Sequence, residues 1–236
     1  MCVTAIITVM TGGEKPFFSQ TLDSVLSEPE ISQILICVSL TNDWIESLPL
    51  INDSRITLVR IPLAHPGAVR NSALKYVQNP WIAYCDGDDV WIPGKTQKQL
   101  NEAIEKGCDF IGCDHYLMNE EGSVRAFALA RYIPMPSSWL VKTEIMKKYP
   151  FNESLAIASD GDWWTQNKSN FSKIRLPQPL IKYRVRQNSV SSSTPSKRRK
   201  ALIISISQIP ILQQLIFLST WILWLFYRSN VYAYKN

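Results

Sequence analysis

Short β-branched apolar runs alternate, from the amino terminus onward, with stretches whose apolar residues recur at helical spacing. Met1–Met10 reads as a first strand, since no charged leader or small-residue cleavage site marks it as a signal peptide. Pro16–Ser27 places Phe18, Leu22, Val25 and Leu26 on one helical face, and Ile34–Ser39 is an apolar run bounded by polar turns. Ile56–Ile61 predicts a third strand. Ala68–Val77 predicts a helix with Val69, Ala73, Leu74 and Val77 inward, and Trp81–Cys85 a fourth strand. This alternation predicts an α/β fold, a mostly parallel sheet with helices on both faces, and ligands bound beyond the carboxyl ends of its strands.

The pattern then loosens. Past Pro93 a helix is expected to turn Lys95, Gln99 and Glu102 outward and to stop near Gly107. Asp109–Met118 reads as a strand, with Val124–Ala130 as its hairpin partner across Glu120-Glu-Gly122. Ser137–Lys148 and Asp160–Asn170 look helical, Leu180–Val185 extended, and Ser189–Ser196 a Ser-rich connector. Ala201–Tyr227 then contains no charged residue and follows directly on Lys197-Arg-Arg-Lys200. Its later part, Ile209–Tyr227, is long enough to span a bilayer. Gln208, Pro210, Gln213 and Gln214 suit a kinked helix lying in the interface nearly as well. Either way membrane lipids are the expected partner, with the basic cluster on the cytosolic face. The expected division is a folded domain at 1–187, a flexible basic linker at 188–200 and a membrane-associated segment at 201–236, with no second globular domain.

Charge sharpens that division. All 20 acidic residues precede Trp163, whereas 12 of the 25 Lys and Arg residues follow it, and the net charge is +5. A basic tail can seek nucleic acid or anionic lipid, and the uncharged apolar run behind it selects lipid over nucleic acid. The 5 cysteines are odd in number and sit mostly in apolar runs, which suits a reduced, cytosolic setting.

Candidate chemistry gathers where the fourth strand ends. Trp81-Ile-Ala-Tyr-Cys-Asp86-Gly-Asp88-Asp89-Val-Trp91-Ile-Pro93 delivers three carboxylates to that end. Such oxygen ligands suit Mg²⁺ or Mn²⁺ sharing its shell with substrate phosphates. The competing reading is a turn at Asp86-Gly87, with Asp89 capping the next helix.

Four other stretches stand in a fixed order around this cluster: Gly67-Ala-Val-Arg70-Asn71, Phe151-Asn-Glu153-Ser-Leu155, Ser159-Asp160-Gly-Asp162-Trp163-Trp164 and Tyr183-Arg184-Val-Arg186-Gln-Asn188-Ser189-Val-Ser191. With Asp86-Gly-Asp88-Asp89 they resemble the ordered motifs of the family 2 glycosyltransferases, over about Val3 to Ser193, and imply the GT-A nucleotide-sugar fold. The resemblance implies an inverting, metal-dependent hexosyltransferase. It would move a sugar from a nucleotide donor, UDP-linked, to a saccharide or lipid-linked saccharide acceptor in cell-envelope polysaccharide synthesis, at the cytoplasmic face of the membrane.

It also implies roles. Asp88 would ligate Mn²⁺ or Mg²⁺, with Asp86 sharing the ion or reaching the ribose, and Asp89 would support the loop. Arg70 and Asn71 would bind the nucleotide, and Arg184 and Arg186 would close over the diphosphate. Asp160 would take the acceptor proton, with Asp162 as its rival or an acceptor contact, and Trp163 and Trp164 would wall the acceptor sugar. Three positions depart from the family pattern. Arg186 stands at the usual His, Ser39 at the usual strand-end Asp with Asp43 as its possible substitute, and Met10-Thr-Gly-Gly13 replaces the usual first strand end. A nucleotidyltransferase or a non-catalytic sugar-nucleotide module at the membrane remain the alternatives.

Overall fold

The computed structural model describes residues 1–128, 134–186 and 195–227. The amino-terminal half follows the hydrophobic pattern closely. β1 (Val3–Val9), α1 (Lys15–Leu26), β2 (Ile31–Ser39), β3 (Ile56–Ile61), α2 (Pro66–Ala73) and β4 (Trp81–Asp86) appear in the expected order, and β3, β2, β1 and β4 lie side by side in parallel. Side chains alternate across this sheet. Ala5, Ile7 and Val9 join Phe18 and Leu22 of α1 on one face, whereas Ile6, Leu35 and Tyr84 meet Val69 and Ala73 of α2 on the other. Both faces are therefore covered, which explains why these strands read as continuous apolar runs.

Beyond β4 the sheet becomes mixed. The order β3-β2-β1-β4-β8-β6-β9-β5 places β8 (Trp139–Lys142) antiparallel between β4 and β6 (Phe110–Met118), and β9 (Lys173–Arg184) parallel to β6. β5 (Val90–Trp91) closes one edge against β9, and β7 (Val124–Phe127) pairs with β6 as the expected hairpin. Ser137–Lys148, expected as one helix, is instead a short turn, β8 and α4 (Thr143–Lys148). The four-residue Trp-Leu-Val-Lys run is too short to show a period of its own.

Between these strands lies α3 (Lys95–Lys106), whose polarity is the reverse of the expectation. Lys95 and Gln99 are buried, not outward. Gln99 donates to the carbonyls of Ile111 and Ser138 at 3.1 and 2.8 Å, and the Lys95 ammonium lies 4.2 Å from the Trp91 ring centre. Buried Glu28 caps this helix from α1's side, accepting from the backbone N–H groups of Gly94 and Thr96 at 2.7 Å each.

The carboxy-terminal segment is part of the fold. Residues 195–200, expected within a flexible linker, open α6 (Pro195–Ile206), and α7 (Pro210–Tyr227) follows. Polar links run along the length of α7. Arg125 donates to Gln213 Oε1 at 2.8 Å, Phe127 N–H to Thr220 Oγ1 at 3.1 Å, Trp224 Nε1 to Asp114 at 2.7 Å, and Arg175 to the Tyr227 carbonyl at 2.8 Å. α7 is long and apolar enough to cross a membrane by length and composition. It nevertheless lies along β7, with Thr220 and Trp224 buried and Ile211 and Phe226 outward at 74% and 73% exposure. Residues Asn188, Ser189 and Ser191 and the 189–194 part of the Ser-rich connector lie outside the described residues, as do residues 129 and 130 of the expected hairpin strand.

Candidate active site

β4 carries the acidic loop to the carboxyl edge of the sheet. At Gly87 an added Cβ would stand 2.7 Å from the Thr8 carbonyl, so the loop can cross β1 only with glycine there. The loop then folds back, Asp89 N–H donating to the Asp86 carbonyl at 3.0 Å. Its three carboxylates meet three different fates.

Asp86 accepts from Arg70 at 2.7 Å and from the Thr8 hydroxyl at 3.1 Å. Asp88 faces the Arg186 guanidinium at 2.5 Å, a charge-to-charge contact outside hydrogen-bond geometry. Asp89 is wholly buried, accepting from the Ser137 hydroxyl at 2.6 Å and from Arg184 N–H at 3.0 Å. Burial, reinforced by the nearby charges of Asp88 and Asp86, pushes its carboxyl well above the usual range. Asp89 ties the loop to β9 and the turn before β8, as expected of a loop support, and it does not cap α3, whose N-cap is Gly94.

Arg70 comes from α2 and is buried. Desolvation works against its charge, yet Asp86 and Asp160 outweigh that cost and hold its pKa above the ordinary value. Arg70 therefore senses both the acidic loop and the carboxylate at the start of α5 (Ser159–Asn167). Asn71, expected at the nucleotide, points elsewhere. Its amide donates to the Phe151 carbonyl and to Glu153 at 2.9 Å each and accepts from Phe151 N–H at 3.0 Å. Gly67 permits the same approach, because a Cβ there would meet the Asn152 carbonyl at 2.7 Å. The first and third sequence motifs thus lock together as a frame for the site.

Other expectations change for similar reasons. Arg184 does not sit on a loop over a diphosphate. It ends β9, is 2% exposed, and donates to the carbonyls of Asp88 and Glu120 and to Gln20 Oε1 at 2.6–2.9 Å. Trp163 and Trp164 are each 1% exposed and belong to an aromatic core with Phe110, Trp139 and Phe171, so they do not wall an acceptor. Trp163 donates its indole N–H to the Tyr149 carbonyl at 2.6 Å. Ser39 is buried at the end of β2, 3.0 Å from the Thr41 hydroxyl, while the Asp43 side chain is 85% exposed.

A cavity of about 1470 Å³ joins what remains: Thr8, Arg70, Asp86, Asp88, Asp160 and Arg186 all line it. Asp162 is half-buried, and the described lining does not include it. The two acid groups of the site thus face one space from different elements, and Arg70, paired with Asp86, faces it too. Thr8, Ser137 and the cavity-lining His115 had no motif to announce them. Their role depends on β1, the turn before β8 and β6 meeting at the sheet's edge.

A family-wide sequence profile described as glycosyl transferase family 2 matches residues 6–160. The chain belongs to glycosyl transferase family 2. Among its relatives is the Escherichia coli UDP-Glc:alpha-D-GlcNAc-diphosphoundecaprenol beta-1,3-glucosyltransferase WfgD, 27% identical over 190 residues, with 74% of each chain covered. Another is the putative teichuronic acid biosynthesis glycosyltransferase TuaG of Bacillus subtilis, 26% identical over 214 residues, 80% of this chain and 82% of that one. The S. aureus TarS 1-349 structure in complex with UDP-GlcNAc superposes with a TM-score of 0.67 at 16% identity, over 86% of this chain and 66% of that one. That likeness establishes the GT-A type fold, here with a mixed sheet. In this family 2 glycosyltransferase the acidic loop and Asp160 line one cavity.

Would the site hold a divalent ion? Among the described residues no three His, Cys, Asp or Glu side chains converge as a closed cage. Asp86 and Asp88 do supply hard oxygen ligands at an open cavity, which suits Mg²⁺ or Mn²⁺ completed by substrate phosphates. The donor set therefore fits an open, substrate-completed ion, with Arg186 sharing the Asp88 carboxylate.

Proposed function

We propose that this glycosyltransferase moves a sugar, with inversion, from a UDP-linked donor to a lipid-linked saccharide of the cell envelope, at the cytoplasmic face of a membrane. One observation carries the reading: Asp160 and the Asp86-Gly87-Asp88 loop line the same cavity from two elements, together with Arg70, which is paired to Asp86. Asp160 takes the proton of the acceptor hydroxyl as its oxygen attacks the anomeric carbon from the face opposite the leaving group. The bond from that carbon to the phosphate oxygen breaks, and the electron pair leaves with the nucleoside diphosphate. Arg186 and Arg70 lie beside the loop to meet the developing charge. Mn²⁺ or Mg²⁺ on Asp88 and Asp86 would supply Lewis-acid charge for the same diphosphate. The lipid-linked acceptor is suggested by the acceptor in the name of WfgD and by the exposed apolar face of α7 beside a basic cluster. Because α7 is hydrogen-bonded along the sheet, we read it as lying in the interface and not spanning the bilayer.

The test is incubation of the purified chain with a panel of nucleotide sugars and Mn²⁺, following the phosphate product. Release of nucleoside diphosphate is expected; formation of nucleoside triphosphate and sugar 1-phosphate when pyrophosphate is added would make the chain a nucleotidyltransferase. Chelation with EDTA is expected to weaken UDP affinity by about tenfold, or 1.4 kcal/mol, and added Mn²⁺ to restore it.

A further inference from the structure

The cavity continues past its carboxylates. Its far wall is made by β6, β7 and the carboxy-terminal helices, through Leu117, Phe127, Ile203 and Thr220, with the cations Arg199 and Lys200 of α6. The acids of the described lining, Glu14, Asp86, Asp88, Glu153 and Asp160, all come from the other elements, and α6 and α7 contain none. Tyr183 stands between the two charge centres. The Lys200 ammonium lies 4.2 Å from its ring centre, and the fields of Asp89, Asp88 and Asp86 add to burial in raising its pKa.

His115 faces the same space. It is 4% exposed, lines the cavity, and neither ring nitrogen has a hydrogen-bond partner among the described residues. A buried imidazole in this condition is a donor awaiting an acceptor. Between β7 and α7 lies a second cavity of about 520 Å³, lined by Phe217, Leu218 and Trp221 and sharing the Phe127 wall with the first. It adjoins the exposed apolar face of α7.

Proton acceptor and cation pair therefore line one cavity, and the apolar groove shares its Phe127 wall. We propose that Arg199 and Lys200 form a binding site for the phosphate of a lipid-phosphate-linked acceptor. His115 donates to the same phosphate, and the groove between β7 and α7 takes the first part of the lipid chain. This rests on the glycosyltransferase reading and gives it an acceptor side. The phosphate anchors the acceptor so that its sugar hydroxyl reaches Asp160, and α6 and α7 become a part of the active site.

Full-length protein saturated with UDP, and then titrated calorimetrically with farnesyl diphosphate, tests the site. Farnesyl diphosphate is expected to bind, and the Arg199→Gln/Lys200→Gln double variant to bind it at least about tenfold more weakly, with UDP affinity and melting temperature retained. Lys200→Arg should stay near wild type. Farnesol and inorganic pyrophosphate, each carrying half of the recognised chemistry, should both bind more weakly than farnesyl diphosphate. Unchanged affinity in the double variant overturns the proposal. So does displacement of farnesyl diphosphate by UDP, which would put it in the donor site. Binding to phosphatidylglycerol vesicles that is lost in the double variant while farnesyl diphosphate binding persists would assign the cations to bulk membrane and overturn it equally. If the protein binds no UDP, the glycosyltransferase reading itself fails, a result distinct from all of these.

Discussion

At the residue scale the site separates carboxylates that look equivalent in the sequence. Asp86 and Asp88 open onto the cavity while Asp89 is spent on Ser137 and Arg184 behind it, and Asp160 lines the cavity where Asp162 does not. Asp162→Asn is accordingly expected to keep turnover near wild type in a nucleoside diphosphate release assay. Arg184, tied to three backbone carbonyls and Gln20, should act on stability. Arg184→Lys is expected to cost roughly 1.5–3 kcal/mol in denaturant unfolding while UDP affinity survives. His115 gives a pH dependence. Burial, with the charges of Lys200 and Arg175 beside it, holds its pKa well below the ordinary value, so the folded protein keeps it neutral. Its contribution to stability is therefore complete above the unfolded pKa of about 6.5 and is lost as pH falls below that. Melting temperatures measured from neutral to acid pH should decline less steeply in His115→Phe than in wild type.

Elements decide which residues the sequence could place. The parallel β1–β4 half was legible because β1, β2 and β4 are buried on both faces and each helix has one apolar stripe. β8 was not. It is a strand only because β4 and β6 flank it, and no local period records that. The Lys95 and Gln99 positions misled for the same reason: polar side chains were read as outward, whereas the sheet edge beneath α3 offers carbonyls and an indole face to them. Trp163 and Trp164 followed the acidic residues closely enough to suggest a sugar platform, but Phe110, Trp139 and Phe171 complete a core around them. α7 is bound to the sheet through the buried Asp114–Arg175 pair, which Trp224 shares. Trp224→Phe leaves an Asp114 oxygen without its donor and should cost about 1–3 kcal/mol in thermal or urea unfolding.

For the whole molecule the asymmetry of charge and the topology agree. The acids gather on the β1–β4 side of the cavity, the basic and apolar residues on the α6–α7 side, and the membrane-facing reading follows from the second. Because α7 packs on β7, deleting it would bare the sheet, so anchoring is better tested by charges on its outer face. Ile211→Glu with Phe226→Glu should abolish co-sedimentation with anionic vesicles while leaving the melting temperature near wild type. The order of motifs made the acidic loop and Asp160 legible together, but only the folded chain puts them on one cavity and pairs Arg70 with Asp86 there. The central claim is that donor grip and acceptor chemistry are separate tasks across that space. Calorimetric UDP affinity measured beside single-turnover rate in Asp88→Ala and Asp160→Asn tests it most directly. The account predicts lost UDP affinity in Asp88→Ala, and in Asp160→Asn wild-type UDP affinity with a rate lowered about 10²–10⁴-fold; undiminished turnover in Asp160→Asn would contradict it.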